Sequence, residues 1–104
     1  MNKPYLEQLK LVSWIKRGRQ RKLVLEELSK DQPIFPEELR KNINSRIKIG
    51  TKLSLREVSR QLTDFKGKKI AICLDEELPW GRSYVLTNRG LKIKQMFLKL
   101  DSKK

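Results

Sequence analysis

Residues 54–66 read SLREVSRQLTDFK, and this stretch decides the fold. Leu55, Val58, Leu62 and Phe65 recur at spacings of three and four, which predicts an α-helix with one apolar stripe turned to a core. Ser54 is a natural N-cap, and Glu57 in the third helical position completes a capping box. At about 100° per residue, Arg56 and Arg60 lie opposite that stripe, flanked by Thr63, Asp64 and Glu57.

Upstream, Gly50 to Leu53 forms the turn into this helix. The helix before the turn opens at Pro36, Glu37 and Glu38, where proline and carboxylates suit a helix N-terminus. Leu39, Ile43 and Ile47 are its buried spacing, so it extends toward Gly50, a natural C′ stop, unless the alternation of Arg46 to Ile49 takes the chain out earlier. Ile34 and Phe35, between two prolines, fit a very short strand. A first helix is predicted from Pro4 to about Ile15, with Leu6, Leu9, Val12 and Trp14 or Ile15 as its apolar side. Between the two lies Lys16 to Lys22, KRGRQRK, leading into the apolar Leu23, Val24, Leu25 and Leu28. Cations at a helix N-terminus oppose the helix dipole. A polyanion would compensate them, which makes Arg17, Arg19 and Arg21 candidate phosphate contacts; the alternative is a solvated helix start.

Downstream, Gly67 is the expected C′ residue of the 54–66 helix. KKIAICL then reads as a strand, DEELPWG as a turn and RSYVLT as a second strand. Thr87 caps a last helix, about 88–100, containing Leu91, Met96, Phe97 and Leu100; its lysines Lys92, Lys94 and Lys99 suit a helix C-terminus without further function. The reading is therefore one domain over residues 1–104, α+β and mainly α. Its helix-turn-helix spans about 36–66 and its hairpin wing, of two or three strands, about 68–86, with helices flanking at both ends.

Composition narrows the function. Lys and Arg number 25 against 12 Asp and Glu, a formal charge of +13, so the expected partner is polyanionic. No apolar run reaches the roughly 18 residues of a membrane span and no signal-peptide core is present, which gives the expectation of a cytoplasmic protein. The chain has no histidine and one cysteine, Cys73, which reads as a reduced thiol in a strand. Imidazole acid–base chemistry and the usual zinc sets are thereby excluded, and no glycine-rich phosphate loop is present. No enzyme activity, metal, cofactor or small-molecule ligand is expected.

Three stretches carry a family resemblance. GRSYVLTNRG, from Gly81 to Gly90, resembles the tyrosine–x–leucine–threonine–x–x–glycine passage from wing to last helix in winged-helix regulators of the MarR and ArsR type. VSRQL at Val58 to Leu62 resembles the centre of the recognition helix in small archaeal members, and RGRQRKLVLEELSK the helix that begins their domain. The resemblance implies major-groove DNA contacts by Arg56, Ser59 and Arg60 and a minor-groove or phosphate contact by Arg82; Thr63 is a further candidate on the same helix, and the position of Ser59 on its shoulder also suits a phosphate or packing contact. The expectation is a transcriptional regulator bound to double-stranded DNA at the nucleoid; the large apolar side chains of the terminal helices need cover from the domain's own core or from a second subunit, and a homodimer through those helices is expected. There are two departures. The helix before the turn is longer by about one helical turn at Asn44 to Lys52, and the wing tip carries Asp75, Glu76 and Glu77, which phosphate repels. The wing's DNA contacts are accordingly assigned to Lys68, Lys69 and Arg82. The competing reading is a winged-helix interaction module of a larger complex, using the hairpin and Trp80 for protein and the basic faces for RNA or DNA without sequence preference.

Overall fold

The computed structural model describes residues 3–48, 50–77 and 81–101. Its elements run α1 (Lys3–Lys16), α2 (Arg19–Glu27), α3 (Pro36–Asn44), α4 (Leu55–Gly67), β1 (Ala71–Leu74), β2 (Ser83–Leu86) and α5 (Asn88–Asp101). This is a mainly helical α+β domain in which an antiparallel hairpin separates four helices from a fifth, an order compatible with a winged helix-turn-helix. No helix among the described residues is long and apolar enough to cross a membrane. Trp80 lies outside the described residues.

The core is where the sequence periodicity puts it, with four corrections. On α4, Val58, Leu62 and Phe65 are fully buried, whereas Leu55 is exposed because it sits at the stripe's edge in the first turn. On α1, Leu11, Val12 and Ile15 enter the core and Leu6 stays outside. On α5 the buried pair is Ile93 and Phe97, with Leu100 exposed. The fourth correction concerns α3, which ends at Asn44 instead of continuing toward Gly50.

The early end of α3 has a local cause. Asn44 is buried, and its side-chain amide donates to the Leu53 carbonyl at 2.9 Å while its oxygen accepts from the Leu53 N–H at 2.9 Å. One asparagine thus pairs with the backbone of Leu53 as a strand would, and ties the end of α3 to the residue before the α4 cap. The extra length before α4 is therefore loop and not helix. Gly50, with φ of 94°, supplies a left-handed turn inside that loop and not a helix stop. Arg46, just past α3, pairs with Glu27 at 2.7 Å and Glu26 at 3.4 Å, tying the loop to α2.

The stop of α4 also differs from expectation. Gly67 is still helical, Lys68 is the C-cap and Lys69, at φ 61°, takes the left-handed position. The Ile70 N–H donates to the Phe65 carbonyl at 2.9 Å and the Lys69 N–H to the Lys66 carbonyl at 3.0 Å. These are the two bonds of a Schellman stop, and its accompanying apolar contact is supplied by the fully buried Phe65 and Ile70.

The hairpin pairs Ala71 with Leu86 through Leu74 with Ser83. Ile34 adds a single bridge on the free edge of β2, exchanging both backbone bonds with Tyr84 at 3.1 and 2.9 Å. All four residues of β2 are buried as a result. Thr87 then caps α5: its hydroxyl accepts from the Gly90 N–H at 2.8 Å and donates to the Lys69 carbonyl at 2.7 Å. Gly90 is needed there, since a Cβ would lie 1.9 Å from the Ile70 carbonyl oxygen. Lys94, one turn on, donates to the carbonyls of Glu26 and Leu28 at 3.0 and 2.8 Å, so it closes the end of α2; partial burial lowers its pKa.

Candidate nucleic-acid interface

Helix α4 presents its outer face because three elements hold the opposite one. It packs against α2, α3 and β1, and its start is fixed by the complete capping box: the Ser54 hydroxyl accepts from the Glu57 N–H at 3.1 Å and the Glu57 carboxylate from the Ser54 N–H at 2.9 Å. The Ser54 backbone bond is the main reason the Glu57 pKa falls below its ordinary value, with the Ser54 hydroxyl and the Gln20 amide adding to it. Arg56 and Arg60 project from the free face, both exposed. Thr63 is exposed beside them, its hydroxyl donating to the Ser59 carbonyl at 3.0 Å, and Ser59 is half-buried on the shoulder toward β2.

One flank of α4 is the start of α2. Gly18 is its N-cap and makes no side-chain cap, so the first amide groups of α2 point outward next to Arg19, Arg21 and Arg60, which share one surface hollow with Gln20 and Gln61. Gln20 donates to Glu57 and accepts from Gln61 Nε2 at 3.0 Å, which locks α2 to α4; the buried Gln61 Oε1 has no partner among the described residues. Arg19 donates to the Thr51 carbonyl at 2.7 Å, and Arg21 donates to the Trp14 carbonyl at 2.7 Å with its guanidinium 4.4 Å from the Trp14 ring centroid. Arg17 is exposed and makes no such contact among the described residues. The basic run is thus partly structural: two of its arginines brace α1 and the loop before α4 while keeping their charge at the surface.

The other flank is the base of the hairpin. Arg82 is exposed, with Nε donating to the Glu76 carbonyl oxygen at 3.2 Å. Lys68 and Lys69 do not sit on a strand; they close α4, where Lys68 Nζ lies 5.4 Å from the Trp14 centroid and Lys69 is the left-handed residue. Asp75 to Glu77 are exposed, but the Glu76 carboxylate is drawn back into an ion pair with Lys66 of α4, which offsets part of the acidic tip's charge.

Compared with known proteins, the chain matches no protein-family model and no curated protein.

The arginines of this face carry charge that no neighbouring carboxylate offsets, a property that Arg89 and Lys92 share elsewhere among the described residues. Away from it, Arg40 pairs with Glu37 and Arg46 with two glutamates. On it, Arg56, Arg60 and Arg82 make no ion pair among the described residues. The sequence pointed to those three. It did not point to the Asn44 clamp, whose partner is backbone, or to the Gln20–Gln61 lock, whose members are far apart in the chain.

Proposed function

We propose that this chain is a duplex-DNA-binding transcriptional regulator of the winged-helix type, akin to the MarR and ArsR regulators, acting on the nucleoid as a binding protein and not as an enzyme. The observation that carries the reading is the exposed pair Arg56 and Arg60 on the free face of a rigidly capped helix, with Arg82 at the hairpin base on its flank, none of them in an ion pair among the described residues. α4 enters the major groove, where Arg56 and Arg60 reach guanine O6 and N7. Ser59 and Thr63 contact the groove wall, while Arg82 on one side and Arg17, Arg19, Arg21 and the α2 amide groups on the other meet phosphates. Lys68 and Lys69 add cations at the far end of α4.

The terminal helices support a homodimer. α1 and α5 pack on each other within the chain, and Tyr5, Leu6, Leu98 and Leu100 leave large apolar side chains exposed along them. A two-fold contact of this surface with itself would bury them and give the assembly two α4 helices, one for each half-site. The alternative of a protein-docking module drew on Trp80 and the acidic tip, and the ion pair of Glu76 with Lys66 leaves that tip less free to bind.

Titration of a labelled random-sequence duplex at several salt concentrations tests the electrostatic part. Each phosphate neutralised contributes about −0.9 to the slope of log K against log salt, so the surface described predicts a slope of about −4 or steeper. A flat salt dependence would remove DNA as the partner.

A further inference from the structure

Helix α4 carries one apolar residue that its core does not use. Leu55 is 45% exposed while Val58, Leu62 and Phe65 are fully buried, and Phe35, ahead of α3, is 48% exposed. Both side chains line an open groove of ≈ 450 Å³ together with Glu37, Ser59, Thr63, Arg82 and Tyr84. The capping box holds the first turn of α4 in place, so Leu55 is presented rigidly. Arg56 follows it directly and Arg82 lines the groove, both without an ion-pair partner among the described residues, while Glu37, also in the lining, is neutralised by Arg40.

A ligand for this patch therefore carries negative charge at its margin and an apolar group at its centre. In duplex DNA the major groove offers one such group, the C5-methyl of thymine. The residues of a recognition helix that reach base edges are those near its N-terminus, which is the position Leu55 holds. We propose that Leu55, backed by Phe35, reads thymine methyl groups, so that a thymine lies beside the bases contacted by Arg56. The inference rests on the duplex-DNA reading above and adds a second, apolar element to its specificity. Ser59, one turn on and small, leaves room for the methyl to approach; the longer Arg56 and Arg60 reach past it to hydrogen-bonding edges.

The test uses two duplexes of equal length and charge: one of mixed sequence in which guanines stand next to thymines, and the same with every thymine replaced by uracil, which removes the methyl alone. Affinities of the wild-type chain and of Leu55→Ala are measured by fluorescence anisotropy at about 150 mM salt. Wild type should prefer the thymine duplex by about fourfold for each methyl covered. Leu55→Ala should bind both duplexes alike and match wild type on uracil. A wild-type chain indifferent to the methyl would overturn the proposal and leave the patch to a protein partner. Equal thymine preference in wild type and Leu55→Ala would overturn it too, by assigning the preference to duplex shape. Failure of wild type to bind either duplex would instead sink the DNA reading itself.

Discussion

Replacing Gly90 by alanine separates two opposing effects by sign. Gly90 is in the first turn of α5, where alanine is favoured over glycine by up to about 1 kcal/mol. The fold opposes this preference. The added Cβ would stand 1.9 Å from the Ile70 carbonyl oxygen and 2.8 Å from its carbon, both backbone atoms. Relief requires a shift of about 1 Å between the start of α5 and the link from α4 to β1. That link is held by the Thr87 N–H donating to Ile70 at 3.0 Å, by the Thr87 hydroxyl donating to Lys69, and by the fully buried Ile70 side chain. Overpacking costs about 1–3 kcal/mol and each weakened hydrogen bond about 1. After the helix-propensity gain the net loss is about 2–4 kcal/mol, a large part of the roughly 5–15 kcal/mol of a chain this size. Urea unfolding followed by circular dichroism should show a midpoint lower by at least about 1 M with an unchanged slope. A midpoint equal to or above wild type would refute the close approach of α5 to Ile70, and with it the reason given for glycine in the threonine–x–x–glycine passage.

Leu62→Ala empties a fully buried position in the centre of α4 and should cost on the order of 2–5 kcal/mol in the same assay; a neutral result would mean that α4 is rotated from the phase described. Glu57 is held below its ordinary carboxylate pKa by the Ser54 N–H first, so its contribution is complete above about pH 4.5 and is lost as pH falls through the lowered folded-state value. The stability gap between wild type and Glu57→Gln should therefore narrow on acidification, whereas a gap constant from pH 7 to 3 would remove the charge from the capping box. Neutralising the exposed Arg17 should make the logarithmic salt slope of DNA binding shallower by about 0.9; an unchanged slope returns that residue to a solvated surface.

The parts of the fold legible in the sequence were those set by local signals. The Ser54–Glu57 box, the Thr87 cap, the hairpin strands and the stripe Val58, Leu62 and Phe65 all follow from spacing within a few residues. What was not legible depends on long-range partners. Asn44 ends α3 because its amide meets Leu53, and nothing in the run Leu39, Ile43, Ile47 signals that pairing. Lys69 rather than Gly67 takes the left-handed position because burial of Phe65 against Ile70 fixes where the chain turns. Leu55 fits the helical period but lies beyond the edge of the core, so periodicity alone assigned it to the wrong side. At the candidate site, Arg56, Arg60 and Arg82 were legible as exposed cations, while the bracing roles of Arg19 and Arg21 required knowing that Thr51 and Trp14 lie beside them.

Sequence-specific reading of DNA through α4 is the central claim, and selection of bound duplexes from a random pool at about 150 mM salt tests it most directly. The account predicts a short enriched motif, repeated as a palindrome with half-sites about ten base pairs apart if the chain dimerises, and a flattened preference at one position in Arg60→Ala. A pool retained without enrichment, or an Arg60→Ala variant that loses affinity equally on every sequence, would contradict it.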